Sequence, residues 1–87
     1  MIARKIVYRG NMNQDVLGIM YDITRKVEIT GQVKPVSAQE IELNLEGDPS
    51  MIKLVMHLID RKVKTFITDK TISQIPYQNY VGLTLLP

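Results

Sequence analysis

Gly10-Asn11-Met12-Asn13-Gln14-Asp15 is a run of small and polar residues set directly before a helical apolar stripe. A loop that feeds a helix start presents unpaired backbone N–H groups and the positive end of the helix dipole, which suits an anion. Gly10–Asp15 is therefore the candidate anion-binding loop. Arg9 and Lys34 are accessory candidates that could add positive charge beside it, although both also read as ordinary solvated strand residues. Asp15 reads as the N-cap of the helix. Its carboxylate would repel a phosphate and compete with it for the helix N–H groups.

The other chemistry-bearing residues are sparse. The single histidine, His57, has Lys53, Asp60 and Arg61 near it on a helix face, with no matched nucleophile in the neighbouring sequence. It reads as a surface residue. Asp22 and Glu28 are helix-surface carboxylates that form no acid–base pair. Tyr77 and Tyr80 could stack on a ligand, or pack over a core edge with the hydroxyl wet. The chain has no cysteine, so it offers no thiol nucleophile, thiolate metal site or disulfide. No metal site and no cofactor are expected.

These residues need elements to hold them. Ile2–Arg9 reads as a strand, with Ile2, Ile6 and Tyr8 on one face and Ala3, Lys5, Val7 and Arg9 on the other. Val16, Ile19, Met20, Ile23 and Val27 form an amphipathic helical stripe, with Arg25 and Lys26 in the last turns. Thr30-Gly31 is expected to end the helical region. Gln32–Val36 is extended, and Pro35 confines it to an edge or a strand end. Glu40–Glu46 alternates, with Ile41, Leu43 and Leu45 inward, and pairs with the preceding strand as a hairpin. Asp48 and Pro49 start a second helix running to about Arg61, with Met51, Ile52, Leu54, Val55, Leu58 and Ile59 on its buried face. A strand is expected near Thr65–Thr68, then a polar connection. The last strand is expected over Tyr80–Leu85, with Val81, Leu83 and Leu85 on one face.

The order strand, helix, strand, strand, helix, strand, strand is the α+β ferredoxin-like split βαβ (βαββαβ) with an additional C-terminal strand. Two helices cover one face of a mainly antiparallel sheet. Ile6, Tyr8, Ile23, Val27, Ile41, Leu43, Leu45, Ile52, Val55 and Ile59 are the expected core. Eighty-seven residues make one domain, 1–87. Eleven basic against nine acidic residues, a net +2, is too mild and scattered for nucleic acid or a membrane surface. No apolar run reaches the ~20 residues of a membrane span. Met1 leads directly into IARKIVY, without the apolar segment of a signal peptide. A cytoplasmic location is the expectation.

At this point the chain resembles the acylphosphatase family, whose pattern reads roughly GRVQGVGFR, then a helix, then GWVKN. Arg9–Leu17, RGNMNQDVL, stands where the first motif would be, and Gly31-Gln32-Val33-Lys34-Pro35 stands where the second would be, without a gap between them. Leu45-Glu46-Gly47-Asp48-Pro49 looks like the family's turn into its second helix. Thr71-Ile72-Ser73 and Tyr77-Gln78-Asn79-Tyr80 look like its closing segment. The resemblance implies a loop whose amides and one arginine hold a phosphoryl group, and an asparagine that orients the attacking water. By register the arginine falls on Leu17, the asparagine on Pro35 and a loop glycine on Asn13. Lys34 keeps the basic character of its position.

Three functional readings follow. In the first, this is a non-catalytic acylphosphatase-like domain, an interaction or binding module that docks a protein partner or forms a weak homodimer through its sheet face or an edge strand. In the second, it is an acylphosphatase with unorthodox groups, Arg9 or Lys34 replacing the arginine. In the third, it is a small-ligand sensor.

Overall fold

The computed structural model describes residues 1–87. In chain order the elements are β1 (Ile2–Gly10), α1 (Gln14–Arg25), β2 (Thr30–Ser37), β3 (Glu40–Gly47), α2 (Pro49–Val63), a single 3-10 turn (Lys64–Phe66), β4 (Ile67–Gln74) and β5 (Leu83–Leu85). The sheet order is β4-β1-β3-β2-β5. All pairs are antiparallel except β2 with β5, which is parallel. This is the ferredoxin-like α+β architecture, with β5 as the additional edge strand.

Strict alternation sets the face of each central strand. Ile6 pairs with Leu43 and Tyr8 with Ile41, while Val33 faces Leu43 from the other side. All these side chains lie on the helix side, where they meet Val16 and Met20 of α1 and Ile52, Val55, Ile59 and Val63 of α2 in one buried cluster. Eight of the ten expected core residues belong to that cluster, and Ile23 and Val27 are half-buried against it. On α2, Met51 and Leu58 are half-buried and Leu54 is exposed, so the buried stripe is narrower than expected. The added turn to Val63 supplies its last buried position. Asp48 caps α2 by accepting from Ser50 N–H at 3.0 Å and from Ser50 Oγ at 2.8 Å. Those bonds hold its carboxyl below the usual carboxylate range.

Several boundaries differ from the sequence expectations, each for a physical reason. Thr30 and Gly31 belong to β2 and do not end the helix; α1 stops at Arg25 with Lys26 as C-cap. Gly31 is glycine because β2 and β3 approach closely there: a Cβ would lie 1.9 Å from the Asn44 carbonyl oxygen, at a φ of +147°. Pro35 sits in an inner strand, yet β5 pairs only with Gly31–Val33, so the outer side of β2 is unpaired at the proline. The strand expected near Thr65–Thr68 begins at Ile67 and runs to Gln74, through the stretch expected as a polar connection. An edge strand with largely wet faces needs no apolar alternation. The final strand is shortened to Leu83–Leu85, and Val81 is 97% exposed, not inward.

The reason for that shortening lies on the open face of the sheet. To pass from β4 at one edge to β5 at the other, the chain crosses the sheet near Ala3, Glu46 and Thr30. Glu46 is 1% exposed. Its Oε2 accepts from the backbone N–H groups of Gln78 and of Asn79, the latter at 3.0 Å, and its Oε1 accepts from Tyr80 N–H at 2.7 Å. Asn79 takes a left-handed φ of 59° to turn these groups onto one carboxylate. The crossing also buries Ala3 to 4% exposure.

Candidate functional site

The loop before α1 is held from two sides. Gly10 N–H donates to Gln39 O and Met12 N–H to Ala38 O, both at 2.9 Å, tying the loop to the β2–β3 hairpin. Asn11 N–H donates to Phe66 O at 2.9 Å, tying it to the turn after α2. Met12 is buried in the core. Gly10 has a φ of +146°, and a Cβ there would fall 2.0 Å from Phe66 O, so only glycine fits this approach.

The N-cap is Asn13, two residues earlier than the expected Asp15. Its Oδ1 accepts from Val16 N–H at 3.0 Å, with the cap backbone extended. The reason is mechanical: the three loop bonds bring the chain to the helix axis by Met12, so the first turn begins at Gln14. Asp15 is exposed in that first turn, where a carboxylate suits the dipole.

This geometry decides what the loop can donate. The amides of Gly10, Asn11 and Met12 are spent on the fold, and those of Val16 and Leu17 both go to Asn13. The N–H groups of Asn13, Gln14 and Asp15 make no loop or cap hydrogen bond. Three free amides of a helix start therefore share their turn with one exposed carboxylate.

The remaining candidates divide between the core and the open face of the sheet. Leu17 is half-buried and packs against the core. Pro35 is half-buried opposite Ile41, with a register shift immediately after it. Lys34 is exposed on the open face, across from Glu42. Arg9 also lies on the open face, clamped between strands: its Nε reaches Glu40 Oε1 at 3.2 Å, and its Nη1 reaches Asp69 Oδ2 and Thr71 Oγ1, each at 3.0 Å. Two carboxylates already hold this guanidinium.

His57 is exposed on α2, as its sequence neighbours suggested. Tyr77 is half exposed with its hydroxyl near Met1 Sδ, and Tyr80 contributes its backbone to the Glu46 clasp. Two features escaped the sequence reading. One is that clasp, because Glu46 ends the alternating Glu40–Glu46 run on its outward face and so reads as solvent-facing. The other is a Tyr8–Asp60–Lys70 group. Lys70 Nζ bonds Asp60 Oδ2 at 2.6 Å and stands 5.9 Å from the Tyr8 ring centroid. The Tyr8 hydroxyl is buried with no hydrogen-bond partner, beside Asp60 but outside bonding geometry. Burial, and then the negative charge of Asp60, push the phenol well above its ordinary pKa. The structure holds no group of three or more His, Cys, Asp or Glu that could hold a metal ion. No helix is long and apolar enough to cross a membrane.

No protein-family model matches the sequence, and no curated protein matches it. The fold does have solved counterparts. An acylphosphatase from Bacillus subtilis superposes with a TM-score of 0.87 at 13% identity, over 100% of both chains. One from Coxiella burnetii gives 0.84 at 14% identity, over 98% of this chain and 92% of that one. Full-length HypF in a phosphate- and nucleotide-bound form gives 0.74 at 16% identity, where this chain spans 12% of the larger one. The chain therefore has the acylphosphatase-like ferredoxin fold.

Proposed function

We propose that this chain is a non-catalytic domain on the acylphosphatase-like fold, serving as an interaction or binding module. One observation carries the proposal. The position where the family resemblance wants a guanidinium is Leu17, whose side chain packs on the core. Pro35, at the water-orienting position, likewise has neither a side-chain amide nor a backbone N–H. Phosphoryl transfer depends on positioning and on stabilising charge, and each missing donor in such a site lowers the rate by a factor on the order of 10²–10³. The nearby cations do not substitute: Arg9 is held by Glu40 and Asp69, and Lys34 lies on the open face. A module of this size also fits the way the same fold forms a small part of full-length HypF. Its two edge strands, β4 and β5, present unpaired backbone groups for a partner or a second copy.

The test is phosphate release from benzoyl phosphate. The unmodified chain is expected to stay at the uncatalysed rate. Robust turnover that is lost in Arg9→Ala or Lys34→Ala would establish the acylphosphatase alternative and remove this reading.

A further inference from the structure

We propose that the groove between the C-terminal halves of α1 and α2 binds an acidic amphipathic peptide segment of a partner protein. The proposal rests on the reading of this domain as a binding module and gives that module a partner chemistry. The groove has a volume of about 640 Å³, within the range of ligand sites. Its floor is Ile19 and Ile23 of α1, Val27 just past its C-cap, and Leu58 of α2. All four are half-buried, so the floor is recessed.

Its rim is basic. Lys26, Arg61 and Lys62 are exposed, and none of the three has an ion-pair partner. The one rim carboxylate, Asp22, is neutralised by Arg25 at 2.9 Å. Three free cations around an apolar floor complement a segment that inserts an apolar side chain between flanking carboxylates, the helix-in-groove mode. A bilayer fits less well, because the exposed large apolar side chains of this chain lie elsewhere and none of them lines the groove. A second copy fits less well because its helices carry only Asp15 and Asp22 on α1 and Asp60 on α2, and Asp22 and Asp60 are already paired with Arg25 and Lys70.

The experiment uses the full chain and a synthetic helix-forming peptide with leucines on one face flanked by glutamates. A twin peptide carries lysine for glutamate. Binding is read by amide chemical shifts and calorimetry. The acidic peptide is expected to shift Ile19–Val27 and Leu58–Lys62, and the lysine peptide to shift nothing. The variant Lys26→Glu/Arg61→Glu/Lys62→Glu changes only exposed residues. It should bind the acidic peptide at least ~tenfold more weakly and gain binding to the lysine peptide. Absence of groove shifts, equal binding of the two peptides, or unchanged binding by the variant would overturn the proposal. So would groove shifts produced by phosphatidylglycerol vesicles in place of the peptide, or by raising the protein concentration alone. Benzoyl phosphate turnover is measured on the same sample. Failed peptide binding without turnover removes the groove and leaves the module reading; turnover together with peptide binding does the reverse.

Discussion

Glu46→Gln tests the crossing that closes the open face. The Glu46 carboxylate receives three backbone N–H groups from Gln78, Asn79 and Tyr80 while 1% exposed. A hydrogen bond to a charged group contributes about 1.5–3 kcal/mol net, roughly twice a neutral one. Glutamine keeps one acceptor oxygen and turns an NH2 toward the other donors. If its oxygen takes the Oε2 place, the Tyr80 bond is lost; in the opposite flip, the Gln78 and Asn79 bonds are lost. The surviving bonds also lose their charge. The amide is easier to bury than a carboxylate, which offsets part of the loss. The balance is a destabilisation of about 2–4 kcal/mol, a large share of the ~5–15 kcal/mol typical of a domain. Urea unfolding monitored by circular dichroism gives the global value, and amide exchange gives the local one. Exchange at Gln78–Tyr80 and at Leu83–Leu85 should accelerate most, because the clasp anchors β5. Stability within about 0.5 kcal/mol of the parent, together with unchanged exchange at those amides, would refute the carboxylate as the anchor.

Four further outcomes are expected. Leu43→Ala should lose about 2–5 kcal/mol in the same urea assay, since Leu43 is fully buried at the centre of the sheet. Tyr8→Phe should leave neutral-pH stability unchanged or raise it by up to about 1 kcal/mol, because it removes a buried hydroxyl with no partner. Burial disfavours the phenolate, so the fold keeps its full stability below the ordinary phenol value of 10.0 and loses it as pH rises above that value; Tyr8→Phe should therefore flatten the alkaline limb of a stability–pH profile. Leu17→Arg with Pro35→Asn should bring detectable benzoyl phosphate turnover, more with Asp15→Gly added, and a rate at background for all combinations would show that the loop shape also differs. The edge strand β5 should support weak self-association, read as a concentration-dependent mass in sedimentation equilibrium; a monomer at millimolar concentration would count against it.

The local pattern of the chain determined most of the architecture. Periods of 2 and 3.6 placed β1, β3, α1 and α2, because a residue facing a core must recur with the geometry of its own backbone. That Leu17 carries no charge and Pro35 no amide N–H was legible as residue type alone. What the sequence did not show is whatever depends on which distant segments become neighbours. The N-cap moved to Asn13 because Ala38, Gln39 and Phe66 pin the loop. β4 had no alternating signal because its place at a sheet edge leaves nearly every residue wet. Arg9 was readable as a free cation until the sheet set it beside Glu40 and Asp69, 31 and 60 residues away. Glu46 read as an outward strand residue, and only the crossing from β4 to β5 buries it under backbone N–H groups 32 to 34 residues further on. The physical reason is common to all four. Periodicity records which side of one element is dry, whereas capping, pairing and charge neutralisation depend on partners that the closed chain alone brings within hydrogen-bond reach.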